Sequence, residues 1–496
     1  MNEYFIGIDI GTGSCKAVAM DTTGSVIASA QCHYETLSSI YGMAEQDPEK
    51  IWDAFVKSLQ DVHQKIGRLP VAVSLSSAMH SLLILDDKLQ PLTQLITWAD
   101  NRADDIAQEL RNSEISEVIY TQTGTPIHSM TPLCKIMWYR KYETDIYKKA
   151  EKFISIKDFI WYKIFGDFQA DESLASATGL FNIYERKWNE QSMELGGIGQ
   201  HQLPEIVPVT FTRNDPVLGT SQVTGFNSSV KWCIGASDGC LANLGSGAMQ
   251  SHHAAITIGT SGAVRVASSQ PLPDFDSMLF SYVLDDKTFI CGGPVNNGGN
   301  VMEWLAKIFY GANEKINYKK IFKEISSIPP GAHGLMFLPY LNGERAPLWD
   351  EKASGSFIGI KSFHTPAHFL KAGLEGICFN LKNILDIVEK QTGEIHQLKA
   401  SGGFTKEKDW VQLLSDISGK IITVNSIDDA SAIGAIMLCM KQMKFSTQDL
   451  LPGEKSLHTV TPEHKKHKEY VYSYSIYSNL YSNLRESMHS LYKDHL

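Results

Sequence analysis

The sequence predicts an α/β protein in two halves, each opening with a β-meander that carries a glycine–hydroxyl hairpin. Three observations support this. The apolar run Tyr4–Ile8 is followed by Asp9-Ile10-Gly11-Thr12-Gly13-Ser14-Cys15-Lys16 and then by a second apolar run, Ala17–Met20. The theme returns as Ala254–Ile258, the turn Gly259-Thr260-Ser261-Gly262, and Ala263–Ala267. Identity between the halves is slight; the match is one of pattern. Elsewhere, short apolar runs alternate with stretches of helical period.

Asp21-Thr22-Thr23-Gly24 turns the chain into an extended stretch, Ser25–His33, which completes an antiparallel meander. Asp47-Pro48-Glu49 reads as an N-cap with proline at the first helical position. Ile51, Trp52, Phe55, Val56, Leu59, Val62 and Ile66 recur at helical spacing, and Gly67 ends the pattern. Val71–Leu75 reads as a buried strand. Its carboxyl end carries Ser76-Ser77-Ala78-Met79-His80, and ligands bind at such strand ends in open α/β sheets. A strand-like run, Leu82–Leu85, follows, and Ile96–Arg102 leads into a helix over 103–111. Gly124–His128 reads as loop, and Leu133–Tyr142 and Ile156–Phe165 read as helices. Residues 181–230 lack a long period and read as irregular connection. Trp232–Ala236 is a strand that runs into Ser237-Asp238-Gly239.

In the second half, Leu279–Val283 and Thr288–Cys291 complete the other meander, and a helix is predicted over 299–309. Leu398–Ala400 runs into Ser401-Gly402-Gly403, followed by a helix at Asp409–Ile417, a strand at Ile421–Val424 and a helix at Ser431–Met443. Near the C-terminus, Tyr477, Leu480, Tyr481, Leu484, Met488 and Leu491 mark a packed helix face.

Composition narrows the function classes. The chain has 496 residues, 43% of them hydrophobic and 20% charged, which is ordinary for a globular protein with a large core. A formal net charge of −10 argues against nucleic acid as the main partner. The eight cysteines show no CxxC and no zinc spacing, so they are expected to be buried reduced thiols. No basic-then-apolar leader opens the sequence. The apolar run Ala432–Met440 is far short of a bilayer span of about 18 residues. A cytoplasmic protein with no membrane partner is expected.

The first hairpin holds a carboxylate, two glycines, two hydroxyls and a lysine. Glycines let backbone N–H groups approach an anion, and the lysine adds charge. The carboxylate suits hydrated Mg2+, which prefers oxygen ligands. An ordinary tight turn fits this stretch equally well when it is taken alone. A Walker A loop is excluded because Lys16 leads into a strand. A dinucleotide fingerprint is excluded because Lys16 stands where its third glycine belongs. Two such hairpins across a cleft could grip a polyphosphate from both sides.

Taken together, the motifs resemble those of the FGGY carbohydrate kinases, within the actin, hexokinase and Hsp70 superfamily. Asp9–Lys16 resembles the family's first phosphate motif and Ile258–Gly262 the second. Ser401-Gly402-Gly403 with Trp410-Val411-Gln412 resembles the adenosine motif. Pro339-Tyr340-Leu341-Asn342-Gly343-Glu344-Arg345-Ala346-Pro347 resembles the family hallmark, and Gly355–Gly359 follows it. The likeness spans essentially the whole chain. It implies a duplicated ribonuclease H-like fold in two domains, 1–244 and 245–496, with a central nucleotide cleft. Ser76–Ser81, Thr97–Arg102, Gly124–His128, Met130–Lys135 and Ala175–Phe181 are most similar to the gluconate-phosphorylating branch. Met79-His80 alone does not separate that branch from xylulose kinases.

The resemblance implies ATP and Mg2+ as cofactors and a sugar or sugar acid as partner. It also implies a homodimer, although no interface is legible in the sequence. Asp238 matches the catalytic base; its local alternative is an N-cap. Asp9 and Asp238 would face the metal. Thr12, Gly13, Ser14 and Lys16 would meet the phosphates from one lobe, and Gly259 and Thr260 from the other. Gly299, Gly402, Gly403 and Glu407 would line the nucleotide, with Glu407 departing from the small or amide residue common there. Met79, His80, Trp98, Asp100, Arg102, His128, Arg265 and Asn297 are the substrate candidates. Arg102 could instead pair with Asp105, and Arg265 could be a solvated strand residue. A hinge is expected near Gly239–Gly247. The competing functions are a kinase for another sugar such as xylulose and a catalytically weak sugar-sensing protein on the same scaffold.

Overall fold

The computed structural model describes residues 2–38, 42–311, 317–424, 429–447, 450 and 458–493. The chain divides into two compact units. The first comprises Met1–Gly247, Ala267–Cys291 and Asp429–Gly453; the second comprises Ala248–Val266, Gly292–Asp428 and Glu454–Leu496. Residues from the later part of the sequence therefore help to build the first unit.

In the first unit a six-stranded sheet runs in the order Thr212–Arg213, Lys231–Ser237, Ala72–Ser77, Tyr4–Ile10, Ser14–Asp21, Val26–His33. The last three strands form the expected antiparallel meander. Ala72–Ser77 lies parallel to Tyr4–Ile10, and Lys231–Ser237 lies parallel to Ala72–Ser77. Every residue of Ala72–Ser77 is buried, as suits a central parallel strand covered on both faces.

Alternation along Tyr4–Ile10 decides what covers each face. Ile6, Ile8 and Ile10 join one core with Phe55 and Leu59 of the helix Pro48–Ile66 and with Phe159 and Trp161 of the helix Ile156–Phe165. Each such side chain contributes roughly 1.5–3 kcal/mol on burial. Phe5 and Gly7 face the other way. Phe5 meets Phe445 edge-on at 5.1 Å, and a Cβ on Gly7 would lie 2.0 Å from Ala432 O of the helix Ala430–Gln442. The helix Pro48–Ile66 starts as its sequence implies, with Asp47 accepting from Glu49 N and Lys50 N, and ends at Gly67.

The strand Lys231–Ser237 carries a register shift between Cys233 and Ala236. Gly235 sits there with φ 71°, and a Cβ would lie 1.8 Å from Leu75 O. Only glycine fits this bulge, which re-aims the strand end just before Asp238. The helix Asp238–Gly245 follows at once.

The second unit repeats the theme. His253–Ile258 pairs antiparallel with Gly262–Ser268 and parallel with Gln397–Ser401. Ile421–Val424 continues parallel, and His458–Val460 is an antiparallel edge. The helices Gly299–Tyr310, Lys408–Ser418 and His464–Lys493 pack around the 27-residue helix Pro366–Thr392. That long helix has no counterpart in the sequence reading. The C-terminal stripe is packed at Tyr477 and Met488, but Leu491 is 60% exposed because the helix runs past its support. The eight cysteines are free thiols, seven of them buried. Among the described residues no helix is long and apolar enough to cross a membrane.

The contact between helices Asp238–Gly245 and Ala430–Gln442 is made backbone to backbone. A Cβ on Gly434 would lie 2.0 Å from Leu241 O. Gly434→Ala is therefore expected to destabilise the protein by about 1–3 kcal/mol. Urea unfolding of the variant beside the parent checks this, and an unchanged midpoint would contradict it.

Candidate active site

The first hairpin is set by its register. Asp9 stands opposite Lys16, and Gly11 N donates to Ser14 O at 3.0 Å. Opposed residues share a face, so the carboxylate and the ammonium lie side by side at the base of the turn. Asp9 Oδ1 accepts from Ser76 Oγ at 2.7 Å. Burial pushes the Asp9 carboxyl above its ordinary range, opposed by the Ser76 hydrogen bond and by Lys16. A Cβ on Gly13 would meet nothing within 4 Å, so the space over the turn is open. Ser14 Oγ accepts from Gln31 Nε2 at 2.8 Å, which ties it to the neighbouring strand. Lys16 forms an ion pair with Asp429, the residue before the helix Ala430–Gln442. Asp429 was not legible in the sequence, because nothing local to it marks a partner for Lys16.

Two substrate candidates of the first unit, Met79 and Trp98, join this hairpin. Trp98 Nε1 donates to Thr12 Oγ1 at 2.8 Å, and Thr12, Met79 and Trp98 line one narrow crevice. His80 is buried, with φ 65°. Its Nδ1 lies 2.7 Å from Ala177 O, and a carbonyl only accepts, so Nδ1 carries the proton. Nε2 lies 3.4 Å from Tyr282 Oη. His128 has the opposite tautomer: its Nδ1 accepts from Met130 N at 3.1 Å, which leaves the proton on Nε2.

Asp100 and Arg102 serve the protein's own network. Arg102 Nε donates to Asp100 Oδ1 at 2.8 Å and Nη2 to Asp100 Oδ2 at 2.7 Å, and Nη2 also reaches Glu45. Asp100 Oδ2 accepts from Ala44 N at 2.8 Å as well. Arg102 therefore does not pair with Asp105, which instead receives Tyr142 Oη and lies 3.8 Å from Lys141 Nζ.

Asp238 is the first residue of its helix, and the cap position belongs to Ser237, whose side chain makes no capping bond. The Asp238 carboxylate accepts from Gly239 N at 2.7 Å. The residue is half-buried at the carboxyl end of a parallel strand, where ligands of α/β sheets sit. Among the described residues no three His, Cys, Asp or Glu side chains converge as a metal cluster.

In the second unit, Gly259 N donates to Ser261 O at 2.8 Å, closing the second hairpin. Gly299 N donates to Gly259 O at 2.7 Å and Gly298 N to Thr260 O at 3.1 Å. Gly402 adopts φ 102°, and a Cβ there would lie 2.4 Å from Ile258 O. These close approaches leave a cavity of about 350 Å3 bordered by Gly259, Thr260, Gly299, Gly403, Glu407 and Trp410. Its size falls within the usual range for small-molecule pockets. Phe404 and Tyr318 flank Trp410, each with its ring centroid 5.9 Å from the indole. Tyr318 and Phe404 escaped the sequence reading.

Two other candidates lie outside that cavity. Arg265 stands opposite Ala255 in the strand pair, beyond the hairpin. Asn297 is fully buried, and its amide donates to Gly343 O at 2.7 Å and to Glu344 Oε2 at 3.0 Å. Glu344, from the hallmark stretch, also accepts from Asn296 N at 2.5 Å, Arg345 N at 2.8 Å and Asn380 Nδ2 at 2.8 Å. The hallmark thus anchors the loop 295–299 that supports the second hairpin.

Lys135 joins two of the first unit's segments. It is completely buried, and its Nζ donates to His80 O at 2.7 Å and to Thr97 O at 2.8 Å. Burial pushes its ammonium down to about 7. An unfolded lysine titrates near ~10.4, so between these values the unfolded chain holds a proton that the folded chain has released. Stability is therefore expected to rise from about pH 7 toward pH 10 through this group. Lys135→Met should flatten that rise. Urea midpoints of both proteins across this window measure it, and parallel profiles would refute it.

Comparison with known proteins accords with this geometry. The model of the FGGY family of carbohydrate kinases, N-terminal domain, matches residues 4–245, and that of the C-terminal domain matches 254–443. The chain is 36% identical over 512 residues to the gluconokinase of Bacillus subtilis (strain 168), covering 100% of this chain and 98% of the relative. A solved gluconate kinase from Lactobacillus acidophilus superposes with a TM-score of 0.94 at 32% identity, covering 99% of this chain and 100% of that one. A ligand-bound xylulose kinase from the same organism superposes with a TM-score of 0.93, also at 32% identity and with the same coverage. The fold is the two-domain, ribonuclease H-like α/β fold of these sugar kinases, and the chain belongs to the FGGY family of carbohydrate kinases.

Proposed function

We propose that the chain transfers the γ-phosphoryl group of ATP to the 6-hydroxyl of D-gluconate, giving 6-phospho-D-gluconate and ADP in the cytoplasm. The observation that carries the choice of gluconate is the full-length 36% identity to the Bacillus subtilis gluconokinase. In this reading the adenosine occupies the cavity beside Trp410 and Gly403. Gly299 and Gly402 keep its walls open, and Glu407 stands at its rim. Thr12, Gly13 and Lys16 are the phosphate-binding candidates of the first unit, and Gly259 and Thr260 those of the second.

Phosphoryl transfer asks the protein mainly for positioning and charge neutralisation. Asp238 accepts the proton of the C6 hydroxyl as that oxygen bonds to phosphorus, and the bond to the ADP oxygen breaks. Its place on a parallel strand's carboxyl end supports that role. Asp9 offers an oxygen donor for magnesium, with Asp238 the second candidate. Magnesium keeps several waters and takes phosphate oxygens, so one or two carboxylates suffice to hold it. When bound, magnesium supplies charge neutralisation on the phosphates. His80, Trp98 and His128 offer neutral hydrogen-bond groups to a polyhydroxylated substrate. The equal likeness to a solved xylulose kinase supports phosphorylation of xylulose as a second reading.

A coupled ADP-release assay over gluconate, xylulose, glycerol and ribulose separates the two. Gluconate is expected to give the highest kcat/KM, and preference for a neutral ketose would overturn the choice. In the same assay Asp238→Asn should lower kcat by about 10²–10⁴-fold, the usual share of a general base.

A further inference from the structure

Beneath Asp238 lies an ion pair that the reaction scheme does not use. Lys157, the second residue of the helix Ile156–Phe165, places its Nζ 2.6 Å from Asp171 Oδ2, and both side chains are 0% exposed. Lys157 Nζ also donates to Ala236 O at 3.0 Å, two residues before Asp238. Asp171 Oδ1 accepts from Leu174 N at 2.9 Å and so caps the short helix Glu172–Ala175. From that turn Ser173 Oγ accepts from Ser237 N at 3.2 Å and stands 3.0 Å from Ser237 Oγ. The segment continues to Ser176 O, which accepts from Thr125 Oγ1 at 2.6 Å, and to Ala177 O, which receives His80 Nδ1 at 2.7 Å. Residues 171–177 thus touch the strand end before Asp238, the histidine of the sugar site and the loop that leads to His128.

Stability alone does not account for such a pair. Removing two charges from water is costly, and a well-packed apolar pair of similar volume commonly serves a core at least as well. What the ammonium and carboxylate add is direction. One nitrogen holds a carboxylate and a backbone carbonyl, and that carboxylate fixes the turn that holds Ser237. We propose that Lys157 and Asp171 are a positioning pair for phosphoryl transfer, fixing Asp238 and His80 in one frame. The proposal rests on the reading of Asp238 as the base. A displacement of about 1 Å at a reacting group costs on the order of 100-fold in rate, so a device that holds Asp238 acts on kcat.

The test compares Lys157→Met/Asp171→Asn, which leaves no unpaired buried charge, with Ser173→Ala, which leaves the ion pair intact. Both are assayed as full-length protein by ADP release, with circular dichroism and thermal unfolding to establish folding. The double variant is expected to lose about 10- to 100-fold in kcat, and Ser173→Ala about tenfold, with KM for ATP within about twofold of the parent. A folded variant of either kind with parental kcat overturns the proposal, as does one whose only change is a raised KM for ATP. Should the double variant not fold, Ser173→Ala decides alone. Asp238→Asn is run in parallel. If it keeps parental turnover, the assignment of the base is wrong. If it is inactive while the other variants turn over normally, only the positioning role falls.

Discussion

The first unit depends on how closely three backbones can approach. Gly7, Gly245 and Gly434 each sit where a Cβ would lie 2.0 Å from a carbonyl oxygen, of Ala432, Ala430 and Leu241 respectively. No rotamer change relieves a clash with backbone, so larger residues would lift the helix Ala430–Gln442 from the sheet and from its partner helix. The helix matters beyond packing because it presents Asp429 to Lys16. A segment more than four hundred residues downstream in the sequence thereby sets the lysine of the first hairpin. Packing, charge placement and the geometry of the first hairpin are one problem here.

The second unit solves the matching problem with a buried carboxylate. Burial pushes the Glu344 carboxyl up to about 7, yet four N–H donors converge on its two oxygens. Those donors come from the loop 295–299, from the hallmark stretch itself and from the long helix Pro366–Thr392. One side chain therefore ties the hairpin's supporting loop to the core. The hallmark's glutamate acts through the backbone it holds, and the glycines at 298, 299 and 402 let that backbone touch the hairpin.

Much of this was legible in the sequence because its signals were local. Asp47-Pro48 and Gly67 bracket a helix whose caps lie where those residues place them. The strand–turn–strand runs marked both hairpins, and the structure supplies their registers. The helix Pro366–Thr392 was passed over although Leu374, Ile377, Leu381, Ile384, Leu385 and Val388, all buried, recur at helical spacing. The roles of Lys135, Lys157, Asp171 and Asp429 were hidden in the sequence. Each is an ordinary charged residue in sequence and acquires meaning only from a carbonyl or carboxylate far away along the chain. Asp100 and Arg102, candidates through the family resemblance, bond each other in the fold.

The buried cations also bear on why two substrate classes share one scaffold. Arg102 is matched by Asp100 and Glu45, Lys157 by Asp171, and Lys135 spans two carbonyls with its charge suppressed by burial. These side chains organise the site and are committed to protein partners. A charged group added among them would need a partner of its own, because an unpaired buried charge is costly. The imidazole of His128, held by Met130 N, can be re-aimed by its backbone partner without moving any buried charge. Such an ionic frame is compatible with a gluconate kinase and a xylulose kinase standing at the same 32% identity to this chain.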